Sequence, residues 1–154
     1  MALKGDRLEI QHDILFFMNE TATRGGMVVL STGGSGSALD SSSALCTYAA
    51  NSSGKKPLGV LLCDMVNIDL TRQHLNDHKN EVQKGNKVQL LTKGWVVTDA
   101  IEGSVTAGAD AYLSSSGNFK TTLDAAGGLV ATPRVGRFLS SKDEDGYARI
   151  EINI

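Results

Sequence analysis

The chain has few of the features that mark many protein classes. Its 154 residues include two cysteines, two prolines and one tryptophan, and the formal net charge is −2. Two cysteines do not make a disulfide framework in a chain of this length, so we predict that Cys46 and Cys63 are reduced and structural. Charges of both signs are scattered along the sequence, which gives no basic field for nucleic-acid binding. We therefore expect no nucleic-acid partner.

No stretch of the sequence is long enough to cross a membrane. The apolar run at residues 15–18 is far shorter than the roughly 20 residues of a spanning helix. The N-terminus also lacks the basic region, apolar core and small-residue cleavage site of a signal peptide. We expect neither a membrane partner nor secretion.

Catalytic motifs are missing as well. Ser35 stands between glycines, but Ser37 occupies the position where a nucleophile elbow needs its second glycine. The same serine-rich stretch lacks the third glycine of a dinucleotide fingerprint, and no phosphate-binding loop occurs. The sequence therefore predicts no catalytic residue, no cofactor and no enzyme.

Two short polar segments resemble metal sites only in part. His74 and His78 are four residues apart and would share one face of a helix, but Leu75 replaces the glutamate of a metalloprotease helix. Residues 143–146 begin like a calcium loop and then lack its remaining ligands. We predict no metal, a solvated turn at 143–146, and a loop at 71–82 that faces solvent or an interface through Arg72, His74 and His78.

Glycine is abundant, with 17 residues, and it falls at matching places in two similar units. Residues 85–98 and 108–121 each contain an apolar run, a polar turn ending in glycine (Gly94 and Gly117), and a second β-rich run. Glycine supplies the positive φ that tight turns demand, so each unit predicts a hairpin. Two copies are too few for a solenoid.

Short β-type segments separated by turn residues fill most of the chain. Residues 58–63 form a continuous apolar run, which is typical of a strand buried on both faces. Near the C-terminus, Ile150, Ile152 and Ile154 alternate with polar residues, as in a strand with one buried face. Other predicted strands lie at residues 27–31, 44–49, 65–70, 129–131 and 135–139. The pattern predicts a mainly β protein, either a small β-sandwich or a barrel with duplicated hairpin units.

The N-terminal zone differs from the remainder in concentrating apolar residues before the first confident strand. We divide the chain into an extended N-terminal arm at residues 1–24 and a single β domain at residues 25–154. Such a cluster either folds back onto the core or docks on a partner. Its apolar members are Leu8, Ile10, Ile14, Leu15, Phe16, Phe17 and Met18.

Several phrases resemble tailed-bacteriophage head decoration proteins. They are DMVNIDLTRQHLN at 64–76, QKGNKV at 83–88, LTKGWVV at 91–97, VGRFLSS at 135–141 and DGYARI at 145–150. The likeness extends from about residue 25 to residue 154 and is one of overall pattern, without a catalytic signature.

The resemblance implies a structural virion protein on the outer surface of the expanded phage capsid, made in the host cytoplasm. Members of this family are small, β-rich and often trimeric, and they cement neighbouring major capsid subunits at three-fold and quasi-three-fold positions. The expected partners are therefore the major capsid protein and further copies of the chain in a homotrimer. The apolar residues between Leu8 and Met18 would form the capsid-binding arm.

Two other functions remain open from the sequence. A carbohydrate-binding β-sandwich would present aromatic side chains on an exposed platform, and its candidates are Trp95, Tyr48, Tyr112 and Tyr147. A small β-barrel enzyme would use the segment around His74 and His78.

Overall fold

The computed structural model describes residues 3–33, 44–64, 68–69, 74–75, 80–123 and 131–154, with the backbone alone at 64, 68–69 and 74–75. It is mainly β, as the sequence predicts. The strands are β1 (Leu3–Asp13), β2 (Phe17–Met18), β3 (Ala22–Thr23), β4 (Met27–Thr32), β5 (Leu45–Thr47), β6 (Pro57–Asp64), β7 (Ile68–Asp69), β8 (His74–Leu75), β9 (Glu81–Val82), β10 (Val88–Thr98), β11 (Asp110–Leu113), β12 (Phe119–Lys120), β13 (Arg134–Phe138) and β14 (Ala148–Asn153), and a short 3-10 turn occupies Ser115–Gly117.

Strand β10 is the centre of the main sheet. The sheet has the order β12-β11-β13-β14-β10-β6-β4-β5-β2, and β1 pairs with β10 as well. Strand β14 pairs with the C-terminal part of β10, from Lys93 to Thr98, whereas β6 pairs with Val88 to Leu91. Because β14 and β6 pair with different segments of β10, the sheet branches at β10 into two halves.

In one half, five strands close into a ring. An isolated bridge between Phe17 and Lys87 joins β2 to the residues just before β10. The Met18 amide also donates to the Asn86 carbonyl oxygen at 2.9 Å. The order β10-β6-β4-β5-β2 therefore returns to its own beginning, as the strands of a small barrel do.

Strands β4 and β6 are buried on both faces and separate two hydrophobic cores. Met27 and Val29 of β4 pack into the larger core, while Val28 packs into the smaller one. In β6 the same alternation places Val60 and Leu62 on one side and Leu61 on the other. All three β6 residues are fully buried, which confirms the interpretation of the apolar run at 58–63. Each fully buried aliphatic side chain contributes about 2 kcal/mol of transfer free energy.

One of the two predicted hairpins is wrong. The second unit is a hairpin, since β11 and β12 pair antiparallel around the Ser115–Gly117 turn. The first unit is one continuous strand, β10. Its glycine, Gly94, has φ 146°, and a Cβ built there would overlap the carbonyl oxygen of Leu8. Gly94 therefore permits a close approach of β1 and does not make a turn.

The N-terminal segment is extended, and it lies along the sheet. Strand β1 runs antiparallel to β10 from Leu3 opposite Thr98 to Asp13 opposite Leu90. Met18 is 1% exposed in the smaller core, and β3 pairs with β9. Residues 3–24 thus form part of the same sheets as the rest of the chain. Their action as a separate arm remains a prediction.

Parts of the predicted loops and strands fall outside the described residues. This applies to 34–43 in the serine-rich loop and to 71–73 and 76–79 in the polar loop, which include Arg72 and His78. It also applies to residues 65–67, 70 and 129–130 of two predicted strands.

Two expectations near described strands need correction. His74 lies in β8, which pairs with β7 in a separate two-stranded sheet where only a loop was expected. At the C-terminus, Ile150 and Ile152 are buried as predicted. Ile154 is 48% exposed because it lies beyond the end of β14.

Candidate functional site

Exposed apolar side chains gather on one surface beside β1. Among the described residues, the large hydrophobic side chains that are exposed are Leu8, Ile10, Leu123, Leu139 and Ile154. Leu8 (47% exposed), Ile10 (62%) and Leu139 (37%) line the same shallow groove, together with Trp95. We call the surface formed by Leu8, Ile10, Trp95 and Leu139 the β1 face. Isolated exposed leucines are ordinary, whereas a contiguous apolar patch indicates an interaction surface.

Strand pairing brings the residues of the β1 face together. Leu8 of β1 lies opposite Trp95 of β10, and Trp95 lies opposite Glu151 of β14. Neighbouring residues in a strand point to opposite faces, so Val96 enters the larger core while Trp95 points away from it. The β1 face is therefore the solvent side of a sheet whose other side is the larger core.

Charged side chains border the β1 face and hold the beginning of β1. The guanidinium of Arg149 lies 4.2 Å from the Trp95 ring centre and donates to the Asp6 carboxylate at 3.0 Å. The Lys4 ammonium pairs with Asp143 at 3.3 Å. These ion pairs are exposed, and each contributes at most about 1 kcal/mol. They fix the position of β1 without burying it.

Asp143 organises the turn between β13 and β14. Its carboxylate accepts hydrogen bonds from the amides of Tyr147 at 2.7 Å and Asp145 at 3.1 Å. The Tyr147 amide, and after it the pairing with Lys4, lowers the pKa of Asp143 below its ordinary value of 3.8. The carboxylate is thus used within the turn, as in other turns built on an aspartate.

We expect replacement of Asp143 by alanine to lower the melting temperature at neutral pH. A depressed folded-state pKa stabilises the protein above the unfolded value of 3.8, and that stabilisation is lost as the pH falls through the folded pKa. The difference between wild type and Asp143→Ala should therefore disappear in strong acid. Thermal melts across the acid range measure this. Asp145→Ala is the matched control, because Asp145 contributes its amide and not its carboxylate to the turn. A difference that persists in acid would contradict the assignment.

The aromatic residues do not form an open platform for a sugar ring. Arg149 covers the Trp95 ring, and the Lys4 ammonium lies 4.2 Å from the Tyr147 ring centre. The Tyr48 hydroxyl donates to the Thr23 carbonyl oxygen at 2.5 Å, and burial raises the pKa of this hydroxyl. The remaining candidate, Tyr112, is half-buried on β11.

The described residues offer little for catalysis or metal binding. Cys46 is buried, and burial raises the pKa of its thiol to about 12, which disfavours the reactive thiolate. No cluster of three histidine, cysteine or acidic side chains with metal-binding geometry occurs among these residues.

In the part of the chain that the structure describes, no helix has the length and apolar character that crossing a membrane requires.

The structure separates the predicted binding residues into distinct groups. Leu8 and Ile10 are exposed on the β1 face, while Met18 is in the smaller core. The other predicted arm residues are half-buried, and they are Ile14, Leu15, Phe16 and Phe17. The backbone alone is described for His74, and Arg72 and His78 lie outside the described residues. Leu139 was missed, since it follows β13 and reaches the groove of the β1 face only in the folded sheet.

Comparison with known proteins assigns the chain to a family. The model of the family described as structural cement protein (E217 gp24/Pam3 gp6) matches residues 9–153, which include the smaller core, all of the larger core except Leu3, and most of the β1 face. No curated protein sequence matches the chain. The resemblance to phage head decoration proteins is confirmed, and the chain belongs to the structural cement protein family of phages.

Proposed function

We propose that the protein binds the outer surface of the expanded capsid and cements neighbouring major capsid subunits, as a homotrimer at three-fold and quasi-three-fold positions. The β1 face is the capsid-docking surface. The observation that carries this proposal is the clustering of Leu8, Ile10 and Leu139 on one face of a sheet that is otherwise bordered by ion pairs. Docking would remove these apolar side chains from water, which is the main favourable term in association.

A cement protein acts by mass action, and the features of this chain suit that role. A protein that binds the expanded shell but not the unexpanded one stabilises it by about 2.7 kcal/mol at a free concentration one hundred times its Kd. A trimer engages several contacts at once, so weak individual contacts combine into durable attachment. Two hydrophobic cores, one on each side of β4 and β6, give the stiffness that such a clamp needs.

This role requires no catalysis and no nucleic-acid or membrane partner. A net charge of −2 gives little attraction to the packaged nucleic acid. The carbohydrate-binding alternative receives no support from Trp95, Tyr147 and Tyr48, because two of the rings are covered by cations and the third is packed against the smaller core.

We expect the double substitution Leu8→Lys/Ile10→Lys to reduce binding to expanded shells by at least about ten-fold. Each aliphatic side chain contributes on the order of 1 kcal/mol when its exposed part is buried, and a lysine there adds the cost of desolvating a charge. The melting temperature should stay close to that of the wild type, because both positions are exposed. Co-sedimentation with expanded and unexpanded shells at matched concentrations measures the effect.

Leu123→Lys is the matched control for this experiment. Leu123 is 50% exposed, like Leu8, but it does not line the groove of the β1 face. Its substitution should leave binding unchanged. Full binding by the double variant would refute the β1 face as the docking surface. Failure of the wild type to bind either kind of shell would refute the cement function itself.

A further inference from the structure

Strand β1 is long and largely unburied, and it is held by its pairing with β10 and by exposed ion pairs. Of its eleven residues only Leu3 is buried, and the others are half-buried or exposed. Among the described residues β1 pairs with β10 and with no other strand. Little apolar area therefore opposes its release.

The pairing between β1 and β10 is also irregular. The register shifts between Leu3 and Arg7, where four steps along β1 match two along β10. It shifts again between Glu9 and Gln11, and once more between Gln11 and His12. Each irregularity interrupts the hydrogen-bond ladder, and the extra residues lie on β1 at the first two and on β10 at the third.

A short connection joins this exposed strand to a fixed point. Residues 14–16 form no strand, and the Leu15 amide is capped by the Asp13 carboxylate at 2.8 Å. At Met18 the chain is held firmly, because that side chain is buried and its amide bonds to the Asn86 carbonyl oxygen. Phe16 also packs against the smaller core, and its carbonyl oxygen accepts from the Val88 amide at 3.1 Å. The hinge is therefore residues 14–15, which span at most about 10 Å between Asp13 and Phe16.

Strand β10, in contrast, needs a pairing partner along the edge that β1 occupies. Its residues Leu90, Leu91, Val96 and Thr98 are buried, and β1 covers its edge. Loss of β1 would expose a long row of unpaired amides and carbonyls, which is a template for pairing with another chain. Every copy of the protein carries both the exposed terminal strand and the edge that it covers.

We propose that β1 is exchanged between copies in the assembled protein. The β1 strand of one copy pairs with β10 of a neighbour in the register seen here, and the neighbours meet at this edge of the sheet because the hinge is short. The exchange preserves all pairing within the sheet, so its cost is low, and it links the copies through their backbones. Each β1 face then contains Leu8 and Ile10 from one chain and Trp95 and Leu139 from another. This inference goes beyond the capsid-binding role and does not depend on it.

Site-directed cross-linking tests the exchange. Gln11 and Lys93 are directly opposite in the register, and both are exposed. Two full-length chains with tags of different length, one Gln11→Cys and one Lys93→Cys, are co-expressed, purified together and oxidised. A disulfide forms only between residues whose Cα atoms lie within about 7 Å. We expect a covalent heterodimer on a non-reducing gel, because the thiol introduced in one chain would lie opposite the thiol introduced in the other.

A mismatched pair controls for random oxidation and for the native thiols. In the control, the Gln11→Cys chain is co-expressed with a Lys55→Cys chain, since Lys55 is exposed and lies outside β1 and β10. The matched pair should give at least about ten-fold more heterodimer than the control. Equal amounts in the two pairs would overturn the proposal. Capsid co-sedimentation of the same preparations is a separate readout, so failure of the exchange is distinguishable from failure of the cement function.

Discussion

Replacement of Gly136 by alanine is expected to destabilise the protein by at least about 3 kcal/mol. Gly136 lies in β13 opposite Ile152 of β14. A Cβ built on it would overlap the carbonyl oxygen of Glu151 and lie 2.9 Å from the carbonyl carbon of that residue. Both obstructing atoms belong to the backbone, which cannot rotate away as a side chain can. The methyl group must therefore push β13 and β14 apart, and with them the core residues Phe138 and Ile150.

The same substitution at another glycine gives the control. Gly5 in β1 has no heavy atom within 4 Å of the position that a Cβ would take, so Gly5→Ala should change stability by less than about 0.5 kcal/mol. Urea denaturation of both variants measures the difference in the free energy of unfolding. If Gly136→Ala behaves like Gly5→Ala, β13 and β14 do not have the close spacing described here.

The second large effect is expected at Met18. Its side chain is 1% exposed, and its sulfur lies 3.8 Å from the Cys46 sulfur in the smaller core. Aspartate there would place a carboxylate among apolar residues, or would have to be protonated, and we expect a loss of about 4 kcal/mol or more in the free energy of unfolding. Leu8→Asp, a substitution with the same charge at an exposed position, should change stability little and reduce capsid binding.

This pair of variants separates two roles that a deletion would mix. Removal of residues 1–18 takes away both the proposed docking residue Leu8 and the core residue Met18, so we expect it to affect folding and binding together. Denaturation and co-sedimentation of the two point variants distinguish these effects, and Asn19→Asp, at the exposed neighbouring position, is a further control. If Met18→Asp kept its stability and lost capsid binding, Met18 would belong to the docking surface, as the sequence predicted.

Local patterns predicted the features that depend on local geometry. Alternation with a period of two reports which side of a strand is buried, and it correctly identified Ile150 and Ile152. A continuous apolar run correctly indicated burial on both faces around Leu61. These patterns were sufficient to predict a mainly β fold.

Features that depend on distant partners were not predictable in this way. A glycine at a turn and a glycine under a close-packed carbonyl look alike in sequence, and Gly94 was therefore assigned to a hairpin that does not form. Likewise, nothing local distinguishes Leu8, which is exposed, from Met18, which is buried. Leu139, which follows β13, reaches the same groove as Leu8 only through the order of strands β13, β14, β10 and β1. Such placements follow from strand order and register, which the sequence pattern does not specify.

The three-way pairing of β10 has a mechanical consequence. A pull on β1 along its own axis loads the β1–β10 pairing in shear, so the hydrogen bonds of its paired stretches share the force instead of breaking one after another. From β10 that tension passes through β14 into one half of the sheet and through β6 into the other. Strand β10 thus transmits a load applied at its edge to both halves of the sheet.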